Sequence, residues 1–156
     1  MNCFYSLFDR VDRSLTASMA RHGILMLRVS VGVIFLWFGV LKFFPGMSPA
    51  QDLAAKTIGI LTFGLVPTKF ALMTLATWEC AVGLGLMFGV FLRATLLLLW
   101  LQMIGTAAPL LFFPNESFTY IPYAPTLEGQ YIIKNLVLAS AGLVVGATVR
   151  GGRLSP

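Results

Sequence analysis

The stretch "WECAVGLGLMFGVFLRATLLLL", Trp78–Leu99, decides the fold of this chain, because two long apolar segments meet in it with almost nothing between them. The first segment begins at about residue 70 and the second continues to about residue 113. Each has the roughly 20 residues that a helix needs to cross a bilayer core of about 30 Å. Backbone groups in lipid must be paired within their own segment, which favours helices. The turn at Leu92–Arg93 is so short that the two helices are predicted to be antiparallel neighbours.

The composition extends this interpretation to the whole chain. Of its 156 residues, 58% are hydrophobic and 11% are charged, whereas soluble domains carry about 25% charged residues. The charges also cluster at the edges of the apolar segments. A soluble fold would need nearly every helix to be buried on all sides, which a chain of this length cannot arrange. We therefore predict a membrane protein with one domain over residues 1–156.

Four segments are long and apolar enough to span a bilayer, and they cover about residues 24–44, 70–91, 94–113 and 131–149. The expected fold is an all-α integral membrane four-helix bundle. The first apolar run is too long for the hydrophobic core of a signal peptide, so we predict that it stays as span one.

The two loops on the far side of the predicted membrane have patterns of their own. "SPAQ", Ser48–Gln51, has the residue types of a capping box with Pro at the first helical position. It predicts a short amphipathic helix in the first outer loop, ending at about Leu61. The second outer loop, residues 114–130, is rich in Pro and aromatic residues. We expect it to form an ordered lid over the outer surface.

Lysine and arginine residues set the expected orientation, because they concentrate on the cytoplasmic side of membrane proteins. One side of the predicted bundle collects six of them: Arg10, Arg13, Arg21, Arg93, Arg150 and Arg153. The other side holds Lys56 and Lys69, and none lies between residues 114 and 130. Both termini are therefore predicted to be cytoplasmic.

Residues 1–22 are predicted to form a separate amphipathic helix on the membrane surface. We attribute their basic charge to topology and to anionic lipid. The expected partner is the lipid bilayer, and no nucleic-acid binding is expected.

Glu79 lies within an otherwise apolar span, about nine residues or ~13 Å below its outer edge. A charge at mid-membrane costs about 2.5–3.5 kcal/mol on insertion scales, a cost that an inward-facing partner can offset. Other polar groups fall in the same outer half, and lysine side chains can bend several Å to reach them. We predict an inward-facing polar cluster near the outer side, with these candidate ligand-binding residues: Lys42, Trp78, Glu79, Gln102, Lys134 and Asn135.

Glycine spacing predicts how the rest of the bundle packs. Gly85 and Gly89 are four residues apart in span two, and Gly142 and Gly146 are four apart in span four. Small residues at this spacing let helix backbones approach closely. Both pairs lie toward the cytoplasmic side, so we expect a bundle that is tight at that end and looser at the outer end. A pocket open outward or sideways would follow.

Each singled-out residue also has a purely structural interpretation. Glu79 and the lysines are equally consistent with a charge network that fixes helix register. The three tryptophans fit packing or interfacial anchoring, and Cys80 fits a small buried apolar residue. Arg28 lies near the membrane edge, where its side chain can extend to the headgroups. Asn135 is as well suited to a hydrogen bond between helices as to a ligand.

Three stretches resemble the DoxX superfamily, over roughly residues 27–145: "RVSVGVIFLWFGVLKFFPG", "WECAVGLGLMFGVFLRATLLLL" and "YIIKNLVLASAGLVV". The first and the last of these stretches are especially similar to the branch that contains the reactive-chlorine-resistance membrane proteins. The first outer loop of this chain is shorter than in that branch. The residues that carry the resemblance are Arg28, Gly39, Lys42, Glu79, Gly83, Lys134 and Asn135.

The resemblance implies a four-helix protein of the bacterial cytoplasmic membrane. Some members of the superfamily are subunits of thiosulfate:quinone oxidoreductase, and others are linked to oxidative-stress defence.

Several chemistries are disfavoured by the sequence. Its only histidine, His22, lies at the cytoplasmic edge of span one, so haem ligation within the bundle is not expected. There is no cluster with metal-ligand spacing and no Cys-x-x-Cys pair. We expect no intrinsic cofactor, and we consider quinone as a bound one.

Three functions stay open. The first is a membrane subunit of a quinone-linked redox or oxidative-stress system, whose partner subunits supply the electrons. The second is a non-catalytic accessory subunit or assembly factor of a larger membrane complex. The third is a small proton-coupled transporter, which four spans without a broken helix or repeat make less favourable. The sequence leaves open whether the chain catalyses a reaction itself.

Overall fold

The protein is described by a computed structural model that covers residues 2–44, 46–48 and 51–152, with side chains from residue 8 onward. Four of its helical stretches are long and apolar enough to cross a membrane: Phe8–Leu41, Thr68–Phe88, Leu92–Phe112 and Leu127–Thr148. The predicted all-α membrane fold with four spans is thus confirmed.

The elements follow one another in a simple order along the chain. They are α1 (Asn2–Leu41), α2 (Gln51–Leu61), α3 (Thr68–Phe88), α4 (Leu92–Ala107), α5 (Pro109–Phe112), α6 (Pro114–Ser117), β1 (Phe118–Tyr120), β2 (Ala124–Pro125) and α7 (Leu127–Thr148). Around the bundle, α1 packs against α3 and α7, and α4 packs against the same two helices. The two short strands pair antiparallel.

The first helix differs from the prediction at both ends. It is a single helix of 40 residues rather than a surface helix followed by a span. Gly23 does not interrupt it, since a glycine inside a helix costs only about 1 kcal/mol. The helix ends at Leu41, before the predicted Phe44. Side chains from Phe8 to Gly23 are exposed, so this part of α1 projects beyond the packed bundle.

Three glycines bring α1 and α3 together. A Cβ built on Gly83 would lie 2.6 Å from the backbone nitrogen of Leu36, and one built on Gly32 would lie 2.8 Å from the carbonyl oxygen of Gly83. A Cβ on Gly39 would lie 2.9 Å from the Cβ of Glu79 and from the Sγ of Cys80. Only hydrogen fits at these positions, so the two backbones are in direct contact.

These contacts also fix the relative height of the two helices. Gly39 lies level with Glu79 and Cys80, in the middle of α3. Since α1 ends two residues after Gly39, the α3 residues from Thr68 to about Ala76, roughly 13 Å of helix, extend beyond it. One quarter of the bundle is therefore without a spanning helix at that end.

The two ends of the bundle are accordingly different. The basic end, defined by Arg28, Arg93 and Arg150, contains the hydrophobic core, with Val82, Leu86, Leu99 and their buried neighbours. The loop end is defined by α2, α5, α6 and the two strands, none of whose described residues belongs to this core. The predicted Gly pairs belong to the basic end: Gly85 faces Thr95, and Gly142 faces Leu99.

The loop end differs from the sequence expectations at one point and agrees with them at another. Span three is interrupted at Ala108, because Pro109 cannot donate the next helical hydrogen bond. The span predicted at about residues 94–113 is nevertheless present, as Leu92–Phe112. A helix, α2, does occupy the first loop, with Leu53 and Thr57 buried. The predicted capping pattern before it falls partly on residues 49–50, which lie outside the described residues.

Candidate functional site

The centre of the loop-end half is occupied by a carboxylate with a partner for each oxygen. Glu79 is 6% exposed and lies midway along α3. Its Oε2 accepts a hydrogen bond from Lys42 Nζ at 2.6 Å, and its Oε1 accepts one from Gln102 Nε2 at 2.7 Å. Glu79 belongs to α3 and Gln102 to α4, and Lys42 directly follows the end of α1. We call Lys42, Glu79 and Gln102 the polar cluster.

The early end of α1 explains why Lys42 can join the cluster. Lys42 is the first residue after the helix, and its backbone nitrogen donates to the carbonyl oxygen of Gly39 at 3.2 Å. The ammonium group also lies 3.5 Å from the carbonyl oxygen of Phe38, one of the last acceptors of α1. A cation is favoured at the negative end of a helix dipole. The helix end and Glu79 therefore attract the same ammonium group.

A cavity of about 380 Å³ lies beside the polar cluster. This volume is at the lower end of the range for small-molecule sites, which is about 300–1,000 Å³. Its walls are mostly apolar, and they are formed by residues of six helices, among them Phe35, Phe38, Leu53, Ile58, Leu75, Trp78, Leu101, Ile132 and Leu138. Lys42, Glu79 and Gln102 contribute to the wall on one side.

The other predicted site residues take different positions. Trp78 and Asn135 both line the cavity. The indole Nε1 of Trp78 donates to the carbonyl oxygen of Leu98 at 3.1 Å, so its polar atom ties α3 to α4 and only its ring is left for the cavity. Lys134 lies exposed on α7, with its ammonium 5.9 Å from the centre of the Tyr131 ring. The structure thus separates Lys134 from the polar cluster. A role in ligand binding stays a prediction for all six residues.

The sequence analysis did not anticipate the contribution of the first loop to this site. Helix α2 contributes five cavity-lining residues: Leu53, Ala54, Thr57, Ile58 and Leu61. Their spacing marks one face of a helix, a signal that was present in the sequence. Gly105 of α4 also lines the cavity, and a Cβ built there would meet no atom within 4 Å. No feature of the sequence predicts this open space beside Gly105.

A second ion pair fastens α2 at the loop end. Lys56 Nζ lies 2.9 Å from both carboxylate oxygens of Glu116, which belongs to α6. The two side chains are about half exposed, unlike the buried pair. This contact ties the helix that forms one wall of the cavity to the second loop.

The chemistry of the site follows from its donors and its walls. Lys42 has three N–H donors, of which one goes to Glu79 and one to the carbonyl oxygen of Phe38, so one is left for a ligand. A ligand with a hydrogen-bond acceptor at one end and an apolar body would match this arrangement. Among the described residues, no group of three or more His, Cys, Asp or Glu side chains is placed to hold a metal ion.

Comparisons with known proteins identify the family. No curated protein and no solved structure matches this chain. The DoxX family profile matches residues 23–114, more than half of the chain, and this region contains the whole polar cluster. The protein is therefore a member of the DoxX family.

Proposed function

We propose that this protein is the membrane subunit of a quinone-linked redox or oxidative-stress system, and that its cavity binds the quinone headgroup. We place it in the bacterial cytoplasmic membrane with both termini in the cytoplasm. The loop end then faces outward, and α2 is an amphipathic helix on the outer face.

One observation carries the proposal: a mostly apolar cavity of about 380 Å³ has an ammonium–carboxylate pair in its wall, in the middle of a membrane bundle. Quinone carbonyl oxygens accept hydrogen bonds, and Lys42 and the amide of Asn135 can donate them. The apolar wall matches a ring and the first part of an isoprenoid chain. A water-soluble polar substrate would leave most of its groups unpaired there.

The redox step assigns different tasks to this chain and to its partner. Reduction of a quinone to a quinol takes two electrons and two protons. In this proposal a partner subunit with a redox centre supplies the electrons. The two protons come from water on the outer side and pass one at a time through Glu79 to the bound headgroup, and Lys42 holds the headgroup carbonyl. This chain is then an accessory subunit in the sense that it binds the substrate and positions it.

Trp78 provides a direct test, because a quinone in contact with an indole quenches its fluorescence. We would measure a variant with Trp37→Phe and Trp100→Phe, so that Trp78 reports alone. A benzoquinone with one isoprene unit should quench the signal in a saturable way.

A matched pair of glycine variants separates specific from non-specific quenching. Gly105→Leu places a side chain in the open space beside the cavity. Gly59→Leu adds the same side chain on α2, at a position that does not line the cavity and where a Cβ would meet no atom within 4 Å. We expect the affinity to fall at least tenfold in the Gly105 variant and to stay unchanged in the Gly59 variant. Equal quenching in both, or none in the parent protein, would reject the quinone site.

A further inference from the structure

The loop-end half of the bundle has an incomplete wall. Helix α1 ends level with the middle of α3, so the position between α3 and α7 is left without a spanning helix there. Helix α2 occupies part of this position. It packs mainly against α3 and α5, whereas α7 packs mainly against α4, α1 and α6. The principal contacts of α2 and α7 are thus not with each other.

Residues of both helices line the cavity. One side is formed by α2 residues such as Ile58 and Leu61, and another by α7 residues such as Ile132 and Asn135. Leu61 is 48% exposed, which places the end of the α2 wall at the surface of the protein. A seam between α2 and α7 would join the cavity to the side of the bundle that faces lipid.

We propose that the cavity is open to the bilayer through this seam, and that it takes a single-chain amphiphile from the lipid phase, headgroup first. The inference rests on the proposed function, since it takes the quinone as the occupant. It adds the route of access and the chemical class: a compact hydrogen-bond-accepting headgroup on one long apolar chain.

The volume of the cavity supports this class of ligand. About 380 Å³ is enough for a substituted ring and a few carbon atoms, but it is too small for a long chain. The chain must leave the cavity, and the apolar side chains of Ile58 and Leu61 on α2 and Ile132 on α7 line the cavity on the two sides of the proposed exit. Beyond the seam the chain stays in hydrocarbon, so it loses no hydrophobic stabilisation.

The alternative route, from water at the loop end, runs past α2 and the second loop. On that side Lys56 and Glu116 join α2 to α6, with both carboxylate oxygens 2.9 Å from the ammonium. The lateral route requires no break in this contact. The two routes therefore predict opposite effects when one seam or the other is locked.

The experiment uses two pairs of cysteines in a protein that lacks its native cysteines, Cys3→Ser and Cys80→Ala. Ile58→Cys with Ile132→Cys brackets the α2–α7 seam, and Lys56→Cys with Glu116→Cys brackets the α2–α6 contact. Bis-methanethiosulfonate reagents of several spans would close each pair in liposomes. A benzoquinone with a long isoprenoid chain would then be added, and its binding followed through Trp78 fluorescence.

We expect closure of the α2–α7 seam to slow association at least tenfold and reduction of the cross-link to restore it. Closure of the α2–α6 contact should leave association unchanged. The reverse pattern would overturn lateral access while leaving the quinone site intact. No binding by the protein before cross-linking would instead reject the proposed function, and the inference with it.

A pair of single substitutions checks the result without any cross-link. Ile132→Phe narrows the seam without adding a second indole, and Val137→Phe adds the same side chain on the exposed face of α7, where Val137 is 69% exposed. Slower association in the first variant alone supports lateral access. Equal association rates in the two variants would contradict it.

Discussion

Lys42 and Glu79 are 37 positions apart in the sequence, and their charged atoms lie 2.6 Å apart in the interior of a membrane bundle. Their side chains are only 10% and 8% exposed. In such surroundings each charge depends on the other, because water cannot replace the missing partner. The pair is therefore the first target for testing both the stability and the chemistry of the site.

We predict strong coupling between the two residues. Lys42→Met leaves a buried carboxylate without its cation, and Glu79→Leu leaves a buried ammonium without its anion. Each should lower the free energy of unfolding by about 3–5 kcal/mol. The double variant should be more stable than the sum of these losses predicts, although the amide of Gln102 would still lack its acceptor, at about 1–3 kcal/mol.

Unfolding in detergent micelles would measure this cycle. Lys134→Met is the matched control, since it removes an exposed lysine from the same half of the bundle and should change stability by no more than about 0.5 kcal/mol. If the loss of stability in the double variant equals the sum of the losses in the two single variants, direct coupling between Lys42 and Glu79 is rejected.

The close contact of α1 and α3 gives a second prediction. Gly83→Ala adds a methyl group 2.6 Å from the backbone nitrogen of Leu36, and the backbone there cannot move without shifting the whole helix. We expect a loss of about 1–3 kcal/mol, as for other overpacked interiors. Gly105→Ala is the control, because its methyl group would meet no atom within 4 Å and alanine favours a helix. The prediction fails if both variants have the same melting temperature.

The exposed pair at the loop end should behave differently from the buried one. Lys56 and Glu116 are about half exposed, so their attraction is screened by water and salt. Lys56→Gln should lower stability by at most about 1 kcal/mol, and the effect should disappear at high ionic strength. A loss of stability as large as that of Lys42→Met, or one that does not change with salt, would show that this contact stabilises the fold more than its exposure indicates.

The polar cluster shows how far sequence reasoning reaches in a membrane bundle. A rise of about 1.5 Å per residue places Glu79 and Gln102 at the same depth, and the structure brings them together. Depth alone does not fix rotation about the helix axis, so it left Lys42 and Lys134 as equal candidates. The structure distinguishes them, since Lys42 follows the end of α1 beside Glu79 and Lys134 faces outward.

The cavity wall formed by α2 was beyond this kind of reasoning. The sequence predicts a helix in the first loop, and a helix is present at Gln51–Leu61. Its position depends on how far α1 extends, and α1 ends three residues earlier than predicted. That small difference opens the space into which α2 packs. The site is therefore a product of tertiary packing and not of a local motif.

The orientation in the membrane is the last prediction, and it rests on the arginines at the basic end. Single cysteines would be placed at Ser14 and Gly151 near that end and at Asn115 in the second loop, in a protein without Cys3 and Cys80. All three positions are exposed, so a membrane-impermeant maleimide can reach them once it is on the correct side. In intact cells the reagent should label position 115 only, and after permeabilisation it should label all three. Labelling of positions 14 and 151 in intact cells would show that the topology is the reverse of the predicted one. The cavity would then lie on the cytoplasmic side, and the quinone would exchange its protons there.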